Sequence, residues 1–302
     1  MKKRLLTGLL LIVVLLRLCA CSKSSTDSLP NVSLPDLSGK GSSTFSIQFI
    51  DVGQGDSALV ECDGQYMLID GGPVAAGDKV YQVLEDKGIQ HLNILAISHL
   101  HEDHIGGLIK ALSYATKIDK TIGNSDYSEK DVFRKFEHEL GINGTAISIP
   151  HVGDKYSLGS AEIEVIDVSS ENGNDSLVLM ITYGKTRFLF TGDIEDDAQT
   201  RISDKYENEK DDAYKIDLIK MPHHGSTSPN SVNGTGSLYR FIRTFMPDYA
   251  VISVGNGNMY GHPHRETLDL LDDAEVKVYR TDQSGDIIVK SDGKKVSVET
   301  SK

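Results

Sequence analysis

Cysteine and positive charge are both scarce in this sequence, and it has only one long apolar run. The three cysteines are Cys19, Cys21 and Cys62, and 31 basic residues stand against 44 acidic ones, for a formal net charge of −13. Such an acidic chain is poorly suited to loose binding of nucleic acid through charge alone, so an anionic substrate would need local positive charge, which metal ions can supply. The apolar run at residues 5–18 contains Arg17 and is short for a membrane span, which needs about 20 apolar residues.

The first twenty residues have the composition of an export signal. Three basic residues at positions 2–4 precede the apolar run, which is the order of the charged and apolar regions of a signal peptide. The junction Leu18-Cys19-Ala20-Cys21 resembles a bacterial lipobox, in which the last cysteine is lipidated through its thiol and becomes the new N-terminus. We therefore expect a lipoprotein signal at residues 1–20 and a lipid anchor on Cys21, which two or three acyl chains would make stable. An ordinary soluble export signal is the alternative.

Lipidation after export would place the chain on the outer face of the bacterial cytoplasmic membrane, held there through a lipid anchor only. Cys62 would then be the one free thiol of the mature chain, so no intramolecular disulfide is expected. Residues 21–44 are rich in serine, glycine and proline and predict a flexible tether. No short repeat and no proline- or glycine-rich linker divides residues 45–300, so we predict one domain at 45–302.

Apolar patterning beyond the tether alternates between strand-like and helix-like segments, which predicts an α/β domain of two similar halves. Strands are predicted at 45–51, 57–61, 66–70, 92–98, 161–167, 176–183, 186–191, 216–221, 249–254, 276–279 and 286–290. Helices are predicted at 78–87, 106–114, 129–140, from about 194, at 238–245 and at 265–272. Two sheets between outer helix layers would accommodate this order.

Potential metal ligands are concentrated in the run His99-Leu-His-Glu-Asp-His104, which follows an apolar segment at 92–97. Residues two apart in an extended chain point the same way, so His99 and His101 can hold one ion. Asp103 and His104 would turn toward a neighbouring position as the chain enters a helix. Imidazole and carboxylate ligands together suit zinc, iron and manganese. The alternative is a polar surface cluster at a strand-to-helix turn, with Asp103 as a helix cap.

This run matches the HxHxDH signature of the metallo-β-lactamase fold, and five further blocks extend the resemblance. In chain order the six blocks are DVGQGD at 51–56, LIDGG at 68–72, HLHEDH at 99–104, FTGD at 190–193, PHHGS at 222–226 and YGHP at 260–263. Together they look like the soluble metallo-β-lactamase-like domain of ComEC-type DNA-uptake proteins, without the multi-helix membrane channel of those proteins. The resemblance implies an αββα four-layer sandwich with a metal site at the edge between its sheets.

The resemblance also implies which residues form the metal site. Asp193, which follows an apolar run, would bridge two ions, although a simple turn is the alternative. The second ion would be held by Asp103, His104, Asp193 and His262. The first ion would be held by His99 and His101, with Asn174, or alternatively Asp175, as the third partner, because no histidine stands where many relatives have one. An oxygen-rich first site makes Mn²⁺ plausible beside Zn²⁺, so one or two divalent ions are expected.

Four further residues are candidates for supporting or catalytic roles. Asp70 ends an apolar run and is expected to orient a metal-binding histidine rather than bind metal itself. Asp56 is expected close to the metals or the substrate. A turn with a purely structural role is an equally weighted alternative for this segment. His223 and His224 would point to opposite sides of an extended chain, so only one is expected to face the site, as a ligand or as a donor to a substrate oxyanion. Asp103 is a catalytic candidate besides being a ligand.

These features predict a metal-dependent hydrolase in which divalent ions activate water for attack on an ester. The ComEC resemblance implies a phosphodiesterase or nuclease that acts on DNA, or on a small phosphodiester, outside the membrane. Hydrolysis of another ester, a thioester or a lactam is the first alternative, because the fold hosts many reactions. A non-catalytic metal-binding lipoprotein is the second. No protein partner is predicted.

Overall fold

Two mixed β-sheets form the centre of the computed structural model, which describes residues 44–168, 176–207, 214–227 and 236–302. The strands are β1 (Phe45–Phe49), β2 (Ala58–Cys62), β3 (Gln65–Ile69), β4 (His91–Ile97), β5 (Lys117–Gly123), β6 (Ile147–Ser148), β7 (Lys155–Leu158), β8 (Ala161–Asp167), β9 (Val178–Tyr183), β10 (Thr186–Phe190), β11 (Leu218–Lys220), β12 (Tyr249–Ile252), β13 (Lys277–Arg280), β14 (Ile287–Ser291) and β15 (Val296–Thr300). The helices are α1 (Gly77–Asp86), α2 (Glu102–Ile105), α3 (Leu108–Ala111), α4 (Asp131–Ile142), α5 (Asp196–Tyr206), α6 (Gly236–Phe245), α7 (Arg265–Asp273) and α8 (Thr281–Ser284). The first sheet has the order β15-β14-β1-β2-β3-β4-β5-β6, and the second has the order β13-β12-β11-β10-β9-β8-β7.

The inner faces of the two sheets share one apolar core. Strand β1 buries every second side chain, as the two-residue period of an extended chain requires when one face is covered. Phe45 of β1 stacks on Phe188 of β10 with ring centroids 4.9 Å apart, and Phe49 stacks on Phe190 at 5.6 Å. Because β1 and β10 belong to different sheets, these aromatic pairs join the two sheets face to face.

Helices cover the outer face of each sheet. Apolar residues of α1, α3 and α4 pack against β2, β3 and β4 in one cluster, and those of α5, α6 and α7 pack against β10, β11 and β12 in another. Helix α6 buries Leu238, Phe241, Ile242 and Phe245, the spacing of a single apolar helix face. The layers therefore run helix, sheet, sheet, helix, which confirms the predicted four-layer fold. Within the described ranges, no helix has both the length and the apolar character needed to cross a membrane.

Four strands, the short helix α8 and one helix break differ from the sequence-based prediction. Strands β5, β6, β7 and β15 were not predicted, because they are short or lie toward the sheet edges with many polar, exposed residues. The helix predicted at 106–114 begins earlier, as α2, and is interrupted before α3. At the interruption, a Cβ on Gly107 would lie 2.0 Å from the carbonyl oxygen of Gly71. This close backbone contact holds the metal-ligand run against the segment that follows β3.

Parallel strand pairs bring the functional segments to one edge of the sandwich. Strands β3, β4 and β5 are parallel neighbours, as are β10, β11 and β12. Their carboxyl ends therefore lie side by side, which is where ligands bind in parallel sheets. The segments that follow these ends carry Asp70 after β3, His99 after β4, Asp193 after β10, His224 after β11 and Ser253 after β12.

Candidate metal centre

The three histidines of the HLHEDH run lie together just beyond the end of β4. His99 is buried, His101 is half-buried at the surface, and His104 is fully buried on α2. The ring centroid of His99 lies 4.5 Å from that of His101 and 4.1 Å from that of His104. The local sequence accounts for this arrangement, because an extended chain carries His99 and His101 and the turn into α2 brings His104 back beside them.

A compact group of four ligand-capable residues, called here the four-residue cluster, surrounds Asp193. Its members are Asp103, His104, Asp193 and His224, whose ligand atoms all lie within 4.8 Å of one another. Asp193 Oδ2 lies 3.2 Å from His104 Nε2 and 3.5 Å from His224 Nε2. His224 Nε2 also lies 3.4 Å from Asp103 Oδ2. The donor atoms thus converge on one point from three different segments of the chain.

Several of the converging atoms are buried and make no hydrogen bond. These atoms are Nε2 of His99, Nε2 of His104, Nε2 of His224 and Oδ1 of Asp193. A buried polar atom without a partner costs about 1–3 kcal/mol, so four in one place require an explanation. Imidazole nitrogens and carboxylate oxygens aimed at a common point are the donor set of zinc and related divalent ions. The residues present therefore fit a divalent metal.

Outer contacts orient two of the imidazoles. His104 Nδ1 lies 2.9 Å from Asp70 Oδ2, and Asp70 is itself held by hydrogen bonds from the Ser98 backbone N–H (2.8 Å) and hydroxyl (2.6 Å). His224 Nδ1 donates to the Ser253 carbonyl oxygen at 2.9 Å. Each contact uses Nδ1, which leaves Nε2 directed at the cluster, the arrangement usual for metal-binding histidines. Asp70 thus lies where the predicted orienting role requires it.

The carboxylates and imidazoles of the cluster shift one another's pKa. Burial opposes a charge on His224, but the carboxylates around it, that of Asp193 foremost, outweigh burial and raise its pKa to about 9. In the same way, burial is outweighed by Asp193 and Asp70 at His104, whose pKa lies well above its ordinary value. Burial would raise the pKa of Asp193, but His104 and His224 hold it well below the usual range. Protons and a divalent ion therefore compete for the same nitrogen atoms.

His99 differs from these two histidines. Burial and the neighbouring His104 lower the pKa of His99 well below its ordinary value, so its ring is neutral at physiological pH. Its Nδ1 lies 3.1 Å from the hydroxyl of Ser98 and 3.4 Å from that of Ser176, and its Nε2 lies 3.9 Å from Asp193 Oδ2. A neutral imidazole beside His101 and Asp193 is suited to a second ion. Asn174, the predicted third partner there, lies outside the described residues.

The structure differs from the sequence prediction at the His223-His224 pair, whereas the ligand role of His262 stays a prediction. His262 stands outside the four-residue cluster, with its ring 6.3 Å from that of His224 and its Nδ1 3.5 Å from Gln54 Nε2. The two adjacent histidines were expected on opposite sides of an extended chain, and this was wrong. Both have positive φ angles, 46° and 56°, inside a short 3-10 turn at Pro222–Gly225. Both Nε2 atoms consequently lie within 4 Å of Asp193 Oδ2, at 3.9 Å for His223 and 3.5 Å for His224.

Lys220 is a residue of the site that the sequence analysis missed. It is 3% exposed, and its Nζ contacts Asp56 Oδ2 and lies 3.8 Å from Asp193 Oδ1. Asp56 Oδ1 in turn lies 3.3 Å from His224 Nδ1. Burial would raise the pKa of Asp56, but Lys220 and His224 hold it below its ordinary value. A lysine inside the apolar strand β11 was the available signal, since a buried ammonium group needs a carboxylate partner.

Comparison with known proteins agrees with this geometry. The sequence profile described as the Metallo-beta-lactamase superfamily matches residues 50–253. ComE operon protein 3 of Bacillus subtilis (strain 168) is 31% identical over 276 residues, covering 84% of this chain and 33% of that protein. Competence protein ComA of Neisseria gonorrhoeae is 29% identical over 241 residues, covering 78% of this chain and 30% of that protein. The chain therefore spans about a third of the length of these curated relatives.

A solved structure supports the fold independently of close sequence similarity. The metallo-beta-lactamase fold protein YhfI from Bacillus subtilis superposes with a TM-score of 0.55 at 13% identity, covering 82% of this chain and all of that protein. At this identity the likeness bears on the fold alone. The profile match, the converging ligand atoms and the four-layer fold lead to one assignment: the chain belongs to the metallo-beta-lactamase superfamily and has the site of a metal-dependent hydrolase.

Proposed function

We propose that this chain is a metal-dependent phosphodiesterase that cleaves DNA. The observation that carries the proposal is the convergence of buried, unpartnered Nε2 atoms and acidic side chains around Asp193. The choice of DNA is supported by the names of its relatives, which include a competence protein of Neisseria gonorrhoeae and Recombination protein 2 of Haemophilus influenzae. A phosphodiester is an anion, and the chain's net charge of −13 makes local cations necessary for binding it.

The four-residue cluster would hold one ion through Asp103, His104, Asp193 and His224. A second ion would take His99, His101 and Asp193, with Asn174 still a candidate. This set replaces the predicted His262 by His224, because His224 has the buried, oriented Nε2 atom. When bound, such ions supply Lewis-acid charge to a phosphoryl oxygen and activate the attacking water. Zinc and manganese both suit this mixture of nitrogen and oxygen ligands.

His223 is the best-placed proton donor to a substrate. Its ring is 30% exposed, its Nδ1 lies 3.1 Å from Glu195 Oε1, and its Nε2 faces the metal centre. The contact with Glu195 positions the ring, and in its protonated form the ring would donate through Nε2–H to a non-bridging oxygen or to the leaving oxygen of a phosphodiester. Asp103 is half-buried beside His224, and its proposed roles as a metal ligand and as a catalytic residue that contacts the substrate are kept.

The proposed place of action is outside the cytoplasmic membrane. Cys21 lies outside the described residues, so the lipid anchor remains a prediction from the lipobox. An anchored enzyme on a tether would meet DNA in the space beyond the membrane, either to degrade one strand or to scavenge it.

The proposal is tested by assaying the full-length chain, stripped and then loaded with Mn²⁺ or Zn²⁺, on single- and double-stranded DNA. A bis-aryl phosphodiester, a thioester and a chromogenic β-lactam serve as competing substrates. We expect metal-dependent DNA cleavage that Asp193→Asn reduces by more than about a hundredfold, beyond the roughly 10- to 100-fold typical of residues that orient a metal ligand without binding the metal. Asp119→Asn, which alters an exposed carboxylate of β5 paired with His91, is the matched control and should retain activity.

Two outcomes would contradict the proposal. Turnover of the β-lactam or the thioester without cleavage of any phosphodiester would assign the site to that alternative chemistry. Metal binding without turnover of any substrate would indicate the non-catalytic metal-binding protein.

A further inference from the structure

Aromatic rings form a series from the protein surface to the metal centre. The ring of Tyr260 is nearly parallel to that of His262, with an interplanar angle of 28° and centroids 5.6 Å apart. The ring of His262 lies 5.6 Å from that of His223 and 6.3 Å from that of His224. His223 and His224 both reach Asp193. Tyr260 is therefore the outermost ring of a series whose inner end is the metal centre.

The outermost ring is exposed although its loop is tightly held. Tyr260 is 60% exposed and its neighbour Met259 is 89% exposed. Asn258 fixes the loop through its side chain, which accepts from the backbone N–H groups of Tyr260 (3.2 Å) and His262 (3.0 Å) and donates to the carbonyls of Gly255 (2.9 Å) and His262 (2.6 Å). A large apolar ring held rigidly in solvent, with one face already stacked, is preorganised to receive a second flat ring on its outer side.

We propose that Tyr260 is a stacking platform for a nucleobase of single-stranded DNA, adjoining the nucleotide whose phosphodiester is bound at the metal centre. This subsite rests on the proposed phosphodiesterase function and names the form of its substrate. Every base has a π-face, so such a platform accepts any sequence. It requires an unstacked base, so it favours single strands over duplex DNA. The platform also supplies affinity that an acidic surface cannot provide through charge.

Binding to two phosphorothioate oligonucleotides of equal length tests the platform. One is a fluorescent oligothymidylate and the other carries only abasic residues on the same backbone, and binding is measured by fluorescence anisotropy on the full-length, Mn²⁺-loaded chain. We expect the wild type to prefer the strand with bases. Tyr260→Ala should weaken binding of that strand by about five- to hundredfold, the range found for alanine substitution at base-stacking aromatics, and leave the abasic strand within about twofold. Tyr260→Phe should retain the preference.

Tyr239→Ala is the control, because Tyr239 on α6 is similarly exposed, at 55%, and lies outside the ring series. Equal binding of both strands by the wild type would overturn the inference. So would an equal loss of both strands in Tyr260→Ala, which would show that Tyr260 acts only by supporting its loop. Cleavage of unmodified DNA, measured separately, distinguishes the two proposals. Cleavage without a preference for the strand with bases would contradict the stacking platform alone. A preference for that strand without cleavage would contradict the phosphodiesterase function alone.

Discussion

At the scale of single residues, the metal centre combines groups that are local in sequence with groups that only the fold brings together. His99, His101 and His104 were predictable because their spacing alone brings three imidazoles to one strand end. Lys220 was not, because its partner Asp56 lies on a different segment, and the two meet only when β11 lies near the turn after β1. His224 was not predicted in the ligand set of the second ion for a similar reason, because the positive φ angles that direct its ring follow from no simple sequence period.

The raised pKa of His224 predicts how metal affinity depends on pH. Below about pH 9 the cluster holds a proton on His224 that a metal ion must displace. Affinity for Zn²⁺ should therefore rise by about tenfold per pH unit for each displaced proton as the pH increases from 6.5 toward 9, and level off above it. Competition titrations with a zinc chelator at several pH values measure this slope. His224→Ala should flatten it and His262→Ala should not, and a pH-independent affinity in the wild type would contradict the proton competition.

The buried pair of Lys220 and Asp56 predicts a strong effect on stability. Lys220→Met removes the ammonium group that contacts the buried Asp56 carboxylate and leaves that carboxylate beside His224 alone, which should lower the free energy of unfolding by about 3–5 kcal/mol. Adding Asp56→Asn removes the charge of the buried carboxylate and should recover part of the loss. Denaturant unfolding of the metal-stripped chains measures both changes. If Lys220→Met were as stable as the wild type, the attraction between Lys220 and Asp56 would not offset the free energy that burying the two charges costs.

At the scale of secondary-structure elements, the sequence predicted those whose apolar pattern is strong and missed those whose pattern is weak. Strands β4, β9 and β10 are mostly buried and were found within a few residues. Strands β7 and β15 expose polar residues on at least one face and lie at sheet edges. They are held by hydrogen bonds to a single neighbouring strand more than by burial of apolar side chains, so their apolar pattern is weak. The interruption between α2 and α3 was missed because it depends on a contact with another segment.

That contact predicts an effect of Gly107→Ala. The added methyl group would lie 2.0 Å from the Gly71 carbonyl oxygen, so the α2–α3 junction must move away from the segment carrying Asp70. We expect a loss of stability of about 1–3 kcal/mol, as for other overpacked sites, together with weaker metal retention. Thermal unfolding and metal content measure the two effects. Gly141→Ala in α4, where a Cβ meets nothing within 4 Å, is the control and should be neutral or slightly stabilising. Unchanged unfolding of Gly107→Ala would contradict the close contact.

At the scale of the whole molecule, the net charge and the predicted membrane anchor both affect how the proposed enzyme would meet DNA. The chain carries a net charge of −13, so the proposed binding of DNA would depend on metal ions, on single basic groups near the site and on apolar contacts such as the one proposed for Tyr260. One such basic group is Lys130, whose charge lowers the pKa of the half-buried His101 after the larger effect of burial. Attachment at a membrane would raise the local concentration of enzyme where external DNA arrives.

The lipobox predicts the effect of one substitution at the anchor. Cys21→Ala should move the exported chain from the membrane fraction to the soluble exported fraction, because no thiol remains for acylation at that position. Cys19→Ala is the matched control and should stay with the membrane. Fractionation followed by immunodetection measures the distribution. Cys21→Ala remaining in the membrane fraction would exclude lipidation of Cys21 as the anchor.

The central claim is that Asp103, His104, Asp193 and His224 hold a divalent ion, and metal content per chain tests it most directly. The wild type, His224→Ala and His262→Ala are purified, loaded with the same excess of Zn²⁺, dialysed and measured by inductively coupled plasma mass spectrometry. We predict that His224→Ala loses an ion that the wild type retains, because it removes a buried, oriented Nε2 atom from the cluster. His262→Ala should keep the wild-type metal content. Loss of the ion in His262→Ala, with full metal content in His224→Ala, would contradict the account.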